Sequence, residues 1–288
     1  MSSEKQSQNS FPSLQTIIPI AFVTVLFLIS WVDFDVDVRD PWYKAVAKVD
    51  SAARSSDPAM KNELLEEGGK ELKELLNEHP YHARLYFFIS YYYFQKQEWD
   101  SVIANCEVAI EKGKGALVNQ VDVVAADLLG KAAINKSNQI VQGGKAWRDA
   151  LDVMELAVYH NRNNAQLWAH TASIHTRINQ LDSAINYYKG ALSVNPNFEP
   201  ARKNLANILF QYGNFFAQQR NFKIAENYYR DAQNLIPNNP DYNNNLGNIL
   251  LQNGKTEESV KFFEQAIKLN PNNSTYKKNL QIAKSKLN

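Results

Sequence analysis

The 34 residues AQLWAHTASIHTRINQLDSAINYYKGALSVNPNF, Ala165–Phe198, carry the pattern that decides the fold. The segment closes on Asn-Pro-Asn around Pro196, and similar closures follow at Pro237 and Pro271. Before each proline the same residue types recur at fixed distances: an alanine, then an aromatic residue, then a small residue. They are Ala191, Ala232 and Ala266; Tyr188, Tyr229 and Phe263; and Ala184, Ala225 and Ser259. Recurrence at a fixed period indicates a repeat architecture.

The residue types at these positions predict paired helices. Small residues allow two antiparallel helices to approach closely, and the aromatic residue fills the gap to the next pair. A single pair would leave one apolar face in water, so neighbouring pairs must stack and bury it. Few Gly (11) and Pro (10) for 288 residues also suit a helical protein.

These spacings resemble the tetratricopeptide repeat, a 34-residue helix–turn–helix unit. In 165–198 the family's signature places hold Trp168, Ala172, Leu181, Ala184, Tyr188, Ala191 and Pro196. In 240–273 they hold Leu246, Gly247, Gly254, Phe263, Ala266 and Pro271. An earlier copy, 83–116, keeps Tyr86, Tyr93, Trp99 and Ala109 but has Lys114 in place of proline, and a degenerate first copy ends at Pro80.

Two stretches depart from the period. Between Pro196 and Pro237 lie 41 residues, seven more than one repeat, and the apolar pattern predicts one long helix from Glu199 to Gln219. Seven residues are close to two helical turns, so the longer helix stays in phase. The other departure covers 113–144, where the sequence allows either a lengthened helix or a long loop.

The resemblance implies an all-α fold, a right-handed α-solenoid of tetratricopeptide-like helix pairs preceded by a single N-terminal transmembrane helix. The predicted divisions are a polar tail (1–12), a transmembrane anchor (13–32), a juxtamembrane segment (33–48), the solenoid (49–273) and a C-terminal capping helix (274–288). Within the solenoid the helix pairs are predicted at about 49–82, 83–116, 117–164, 165–198, 199–239 and 240–273.

The anchor prediction rests on the segment from Ile17 to Val32, in which thirteen of sixteen residues are apolar. No charged residue lies between Lys5 and Asp33, and about 20 helical residues span a bilayer core. A cleaved signal peptide and a buried core helix are the alternatives, although no Ala-x-Ala-like cleavage pattern follows the run. Lys and Arg are balanced on the two flanks, and the solenoid is expected on the extracytoplasmic side (periplasmic or luminal), with the cytoplasmic side as the alternative.

Composition and motifs argue against several function classes. With 31 Lys+Arg against 30 Asp+Glu, the chain lacks the basic excess of a nucleic-acid-binding protein. A single cysteine, Cys106, gives no disulfide framework and is predicted to be packed inside its repeat. No phosphate-binding loop and no convergent nucleophile, base and orienting group is found. We therefore expect no enzyme activity, no cofactor, no metal and no small-molecule substrate.

The resemblance places candidate binding residues on the concave face of the first helices. In 83–116 these are Arg84, Phe87, Tyr91 and Phe94. Their aromatic rings offer an apolar wall for a partner's side chains. The alternative is that this wall packs against the next repeat or against the membrane-proximal helix.

In the C-terminal half the same places hold Asn207, Asn244 and Asn248. Amides both donate and accept, so such a row suits an extended peptide backbone. The alternative is a solvated groove in an Asn-rich protein. Lys203, Asn207 and Asn245 partly match the carboxylate clamp by which some members of the family grip a C-terminal carboxylate.

The predicted function is a membrane-anchored scaffold for protein–protein interactions that assembles or stabilises a membrane-associated complex. The alternative is a peptide or chaperone receptor of the carboxylate-clamp type at a membrane surface.

Overall fold

The computed structural model describes residues 41–114, 120–143 and 147–287, which form α-helices and no strand. The chain divides into two compact units, 1–136 and 137–288. The first five helices are α1 (Pro41–Arg54), α2 (Pro58–Glu78), α3 (Ala83–Gln95), α4 (Trp99–Gly113) and α5 (Val121–Gln142). The next eight are α6 (Trp147–His160), α7 (Ala165–Arg177), α8 (Leu181–Val194), α9 (Glu199–Gln218), α10 (Phe222–Leu235), α11 (Pro240–Gln252), α12 (Thr256–Leu269) and α13 (Ser274–Ser285).

The predicted tail and anchor, residues 1–32, lie outside the described residues, as does the first half (33–40) of the juxtamembrane segment. Among the helices that the structure describes, none combines the length and apolarity needed to cross a bilayer. The first described helix begins at Pro41 rather than at the predicted solenoid start of 49.

In the first unit, α1 pairs with α2 and α3 with α4. Asp57 accepts a hydrogen bond from the backbone N–H of Ala59 (2.9 Å) and Pro58 follows as the first helical residue, which together start α2. The predicted irregular region contains α5, a helix of 22 residues, so a lengthened helix accounts for most of it.

In the second unit, α7 pairs with α8, α9 with α10 and α11 with α12. All nine recurring residues that predicted the repeat are buried there: Ala184, Ala225, Ser259, Tyr188, Tyr229, Phe263, Ala191, Ala232 and Ala266. The all-helical repeat fold is confirmed by this burial. The helix predicted from Glu199 to Gln219 is present as α9, with 20 residues.

Asparagine starts three of the first helices. The Oδ1 atoms of Asn164, Asn239 and Asn273 each accept hydrogen bonds from two backbone N–H groups, at 2.9–3.4 Å. A short side chain that accepts from these N–H groups is the preferred cap of a helix. These three asparagines therefore serve to begin helices.

Candidate functional site

Hydrogen bonds join the first helices of successive repeats in the second unit. The Tyr242 hydroxyl on α11 donates to Asn207 Oδ1 on α9 (2.5 Å), and the Tyr276 hydroxyl on α13 donates to Asp241 Oδ1 on α11 (2.5 Å). Asn279 Nδ2 donates to Asn244 Oδ1 across 2.9 Å. These bonds fix a polar surface, which we call the first-helix face: Lys203, Asn207, Asn244 and Asn248.

The predicted asparagines differ in whether their side-chain amides are accessible to a partner. Asn244 is buried, and its Nδ2 donates to Asn245 Oδ1 (3.1 Å), so its amide is used within the fold. Asn207 is exposed, although its oxygen already accepts from Tyr242. Asn248 is half-buried and its side chain forms no hydrogen bond within 41–114, 120–143 and 147–287. Asn207 and Asn248 are therefore the amides that remain accessible.

Lys203 lies one helical turn before Asn207 on α9. Its side chain is 63% exposed, and its Nζ is 3.2 Å from Glu199 Oε1. Hydrogen bonds from Arg202 and from Lys203 lower the pKa of Glu199, so this carboxylate stays ionised beside the ammonium. The structure brings Lys203 and Asn207 onto one face, but a neighbouring carboxylate partly neutralises the cation. Asn245 is on α11, one turn after Tyr242.

The aromatic wall predicted in the first unit is closed. Phe87 is 5% exposed and Tyr91 is 4% exposed. Burial raises the pKa of Tyr91, and the nearby Asp50 carboxylate on α1 raises it further. Phe94 is half-buried and packs edge-on against Trp99, with centroids 5.4 Å apart.

Helix α1 accounts for part of this closure. The Trp42 ring lies 4.6 Å from His82 and 6.5 Å from Phe88, and the Arg84 guanidinium lies 5.9 Å above Trp42. Phe87 and Tyr91 are therefore buried side chains. The choice between a binding wall and a wall that packs against the next repeat or the membrane-proximal helix stays a prediction. The signal for this role of α1 in the sequence is Trp42, a large apolar residue that precedes the predicted solenoid start at 49.

The hydrogen-bonding tyrosines of the first helices are not among the residues that the family pattern marks. Their signal is nevertheless present in the sequence. Tyr242 and Tyr276 each stand three residues after an asparagine cap, Asn239 and Asn273. A repeated Asn-x-x-Tyr therefore marks the register in which one first helix docks onto the preceding one.

The cysteine and two of the histidines, which are the side chains most often used in catalysis or metal binding, are engaged in packing and hydrogen bonds. Burial raises the pKa of the Cys106 thiol to about 12, which leaves the inert thiol form at neutral pH. His170 Nε2 lies 3.1 Å from Ser137 Oγ, and His175 Nδ1 lies 2.8 Å from Gln180 Oε1. Within the described ranges no group of three or more His, Cys, Asp or Glu side chains is placed to hold a metal ion.

Paired antiparallel helices that stack on their neighbours define the class of helical repeat proteins. Family models described as "Tetratricopeptide repeat" match residues 165–198, 206–239 and 240–273. These three segments are tetratricopeptide repeats. Proteins built from them are typically protein-interaction modules.

Solved structures with similar folds share little sequence with this chain. MamA residues 41–end from Desulfovibrio magneticus RS-1 is 16% identical over 55% of this chain and 85% of its own, with a TM-score of 0.39. YrrB, described as a TPR protein with an unusual peptide-binding site, is 18% identical over 74% of this chain and 97% of its own, with a TM-score of 0.36. PilF of Pseudomonas aeruginosa is 22% identical over 56% of this chain and 70% of its own, with a TM-score of 0.33. A search of curated proteins gave no match.

Proposed function

We propose that the protein is a membrane-anchored scaffold whose first-helix face binds an extended segment of a partner and so assembles or stabilises a membrane-associated complex. The observation that supports this is the set of hydrogen bonds from Tyr242 to Asn207, from Tyr276 to Asp241 and from Asn279 to Asn244. They hold polar groups of α9, α11 and α13, the first helices of successive repeats, in fixed positions before any partner arrives. Preorganised groups lose little conformational entropy on binding.

The accessible groups favour a peptide backbone over a charged ligand. Asn207 and Asn248 present amides, which accept from backbone N–H groups and donate to backbone carbonyls. The Lys203 ammonium is paired with Glu199, so little uncompensated charge faces the ligand. A partner held through its backbone needs few specific side chains, which suits a scaffold.

The test is affinity purification of the full chain from detergent-solubilised membranes. A partner should be recovered with the wild type and lost with Asn248→Arg, which puts a long cation on the first-helix face. Asn227→Arg is the matched control, because Asn227 is exposed on the second helix α10 and should leave recovery unchanged. Recovery of only the free monomer, under gentle conditions, contradicts the scaffold proposal.

The second candidate is a receptor for a C-terminal carboxylate. It is favoured by one feature, the placement of Lys203 and Asn207 one turn apart on α9. The measurement is binding of one peptide with a free or an amidated C-terminus to the full chain and to Lys203→Ala. If neither amidation of the peptide nor Lys203→Ala changes the affinity, the receptor hypothesis is contradicted. The hypothesis of a backbone-binding scaffold is unaffected by that result.

We place the anchor at residues 13–32 and the solenoid on the extracytoplasmic side. The apolar run from Ile17 to Val32 supports the anchor. The full chain should then stay in the membrane pellet through alkaline extraction, and a chain lacking residues 1–40 should be soluble. Protease added outside sealed vesicles of known orientation reports the side on which the solenoid lies.

A further inference from the structure

Helix α9 extends well beyond the pair that precedes it. At the next junction, Asn253 follows directly after α11 and its Nδ2 donates to the carbonyl of Phe222, the first residue of α10 (3.2 Å). At the α8–α9 junction the corresponding contact is made by Tyr212, whose hydroxyl donates to Asp182 Oδ1 at the start of α8 (3.0 Å). Helix α9 then continues to Gln218. Six further residues at 1.5 Å each carry it about 9 Å past the start of α8.

We call this overhang of α9 past the start of α8 the step. It comes from the seven extra residues of the repeat. The first half of α9 follows the register of the repeat before it, and the matched segment 206–239 begins seven residues after Glu199. Because seven residues are close to two helical turns, the apolar side of α9 keeps the same direction over its whole length. One helix can therefore pack against both the preceding and the following repeat. The pair α9–α10 is therefore displaced along the helix axis relative to α7–α8.

The step leaves aromatic residues beside the start of α8. The Tyr228 ring stacks on Tyr212 (5.2 Å between centroids, 29° between planes) and on Phe216 (5.5 Å, 3°). Phe215 packs edge-on against Phe216 at 5.3 Å and is 52% exposed. In the preceding repeat the equivalent Tyr187 donates to Glu155 on the previous second helix (3.1 Å). Within the described residues of the second unit Tyr228 has ring contacts only with its two neighbours.

Beside this aromatic row lies an open recess of about 440 Å³ lined by Asn179–Ser183 and Tyr212. We call it the step recess. Asp182 is exposed at its rim, accepts the hydrogen bond from Tyr212 and has no ion-pair partner among the residues the structure describes. A carboxylate without an ion-pair partner therefore stands at the hydroxyl end of Tyr212, whose ring belongs to the aromatic row.

We infer that the step recess is a second docking site, which takes an extended segment of a partner protein presenting an arginine next to an apolar residue. The guanidinium is planar, stacks on aromatic faces and pairs with carboxylates through two parallel hydrogen bonds. Asp182 supplies the carboxylate and Tyr212 the ring. The adjacent apolar side chain of the partner covers Phe215. The charge and shape of the recess thus match arginine better than lysine, whose ammonium does not stack.

This site does not depend on the first-helix face, which lies along the first helices and uses other residues. The probe is a blocked peptide, acetyl-Gly-Leu-Arg-Leu-Gly-amide, with Gln and Lys in place of Arg as matched controls. Binding is measured by nuclear magnetic resonance titration of the full-length protein in mild detergent. We expect shifts at the step recess, and affinity that falls about tenfold when the peptide's Arg becomes Gln.

Two protein variants separate binding from folding. Asp182→Asn removes the charge, and Phe215→Ser removes a ring that is 52% exposed. Each should weaken binding of the arginine peptide about tenfold while the helical circular-dichroism signal stays unchanged. Asn248→Arg, on the first-helix face, should leave this peptide's affinity unchanged.

Three outcomes overturn the inference: no binding of the arginine peptide at millimolar concentration, equal binding of the Gln peptide, or loss of binding with Asn248→Arg instead of Asp182→Asn. A fourth is that sedimentation shows a dimer of the protein that Phe215→Ser dissociates. The occupant would then be a second copy of this chain and not a partner segment.

Discussion

Glu226 is the clearest case in which one residue joins two repeats. Its side chain is 7% exposed on α10, and its carboxylate accepts from Arg230 (2.8 Å), Lys255 (2.6 Å) and Asn253 (2.7 Å). Arg230 also pairs with Glu258 on α12 at 2.8 Å. A buried carboxylate is tolerated only when its charge and lone pairs are satisfied in this way. The network therefore specifies how the last full helix pair docks.

Replacing Glu226 by Gln should destabilise the protein by about 2 kcal/mol, because Lys255 and Arg230 lose their shared anion. Burial raises the pKa of Glu226, but the hydrogen bonds from Lys255, Arg230 and Asn253 outweigh it and lower the pKa overall. A lowered pKa means stabilisation that is complete above the ordinary value of 4.5 and is lost as the pH falls through the lowered one. Urea unfolding of both proteins at several pH values measures this. A difference that persists at the lowest pH contradicts the ionic explanation.

Turn residues provide a second prediction at this scale. Gly254, Arg220, Asn179 and Gln97 occupy the same turn of their repeats with positive φ, at 77°, 59°, 60° and 59°. Gly254→Ala should cost about 1 kcal/mol, because a Cβ is strained at this φ even though no atom beyond the two neighbouring residues lies within 4 Å of it. Arg220→Ala is the control: it already has a Cβ, so its free energy of unfolding should barely change. Equal losses in the two variants would show that backbone strain is not the cause.

Among the elements, α9 shows how far periodicity predicts structure. The sequence indicates its length and phase, because Leu205 and Leu209 keep one apolar stripe across the extra residues. The step does not follow from that stripe. The step depends on which part of α9 each neighbouring helix packs against. Contacts such as Tyr212 with Asp182 and Asn253 with Phe222 fix that alignment.

Close approach within helix pairs is tested at Gly213. A Cβ built there would lie 2.6 Å from the Tyr229 ring, and the equivalent Gly247 would meet Phe263 at 2.8 Å. Helix propensity alone would make Gly213→Ala stabilising by about 1 kcal/mol. The Tyr229 ring is buried and its hydroxyl donates to Asn214 Oδ1 (2.6 Å), which holds the ring in place. We therefore expect a net loss of about 1–2 kcal/mol, measured by thermal or urea unfolding. Gln211→Gly on the exposed side of α9 isolates the propensity effect. A stabilised Gly213→Ala protein would refute the contact.

Across the whole molecule, the sequence predicts the buried residues well where the 34-residue repeat is regular and less well where the repeat is irregular. The second unit keeps its Pro-Asn closures and its alternation of alanine and aromatic residues, and its core residues were predicted individually. The first unit lacks these marks. There Phe87 and Tyr91 fit an open wall by analogy, whereas both side chains are buried and the Asp50 carboxylate of α1 lies near Tyr91. A local pattern predicts a helix face but not the element that covers it.

Buried and half-buried tyrosines distributed through the solenoid predict an alkaline limit to its stability. Burial is the main cause that raises the pKa of Tyr187, Tyr229 and Tyr276 to about 12, from an ordinary 10. Their stabilisation is therefore complete below pH 10 and is lost as the pH rises towards 12, at up to ~1.4 kcal/mol per tyrosine per pH unit. Urea unfolding at stepped alkaline pH should show this slope, and Tyr276→Phe should reduce it. Tyr81→Phe removes a side chain that is 86% exposed and should leave the slope unchanged; a flat profile in the wild type would mean that these phenols reach water in the folded protein.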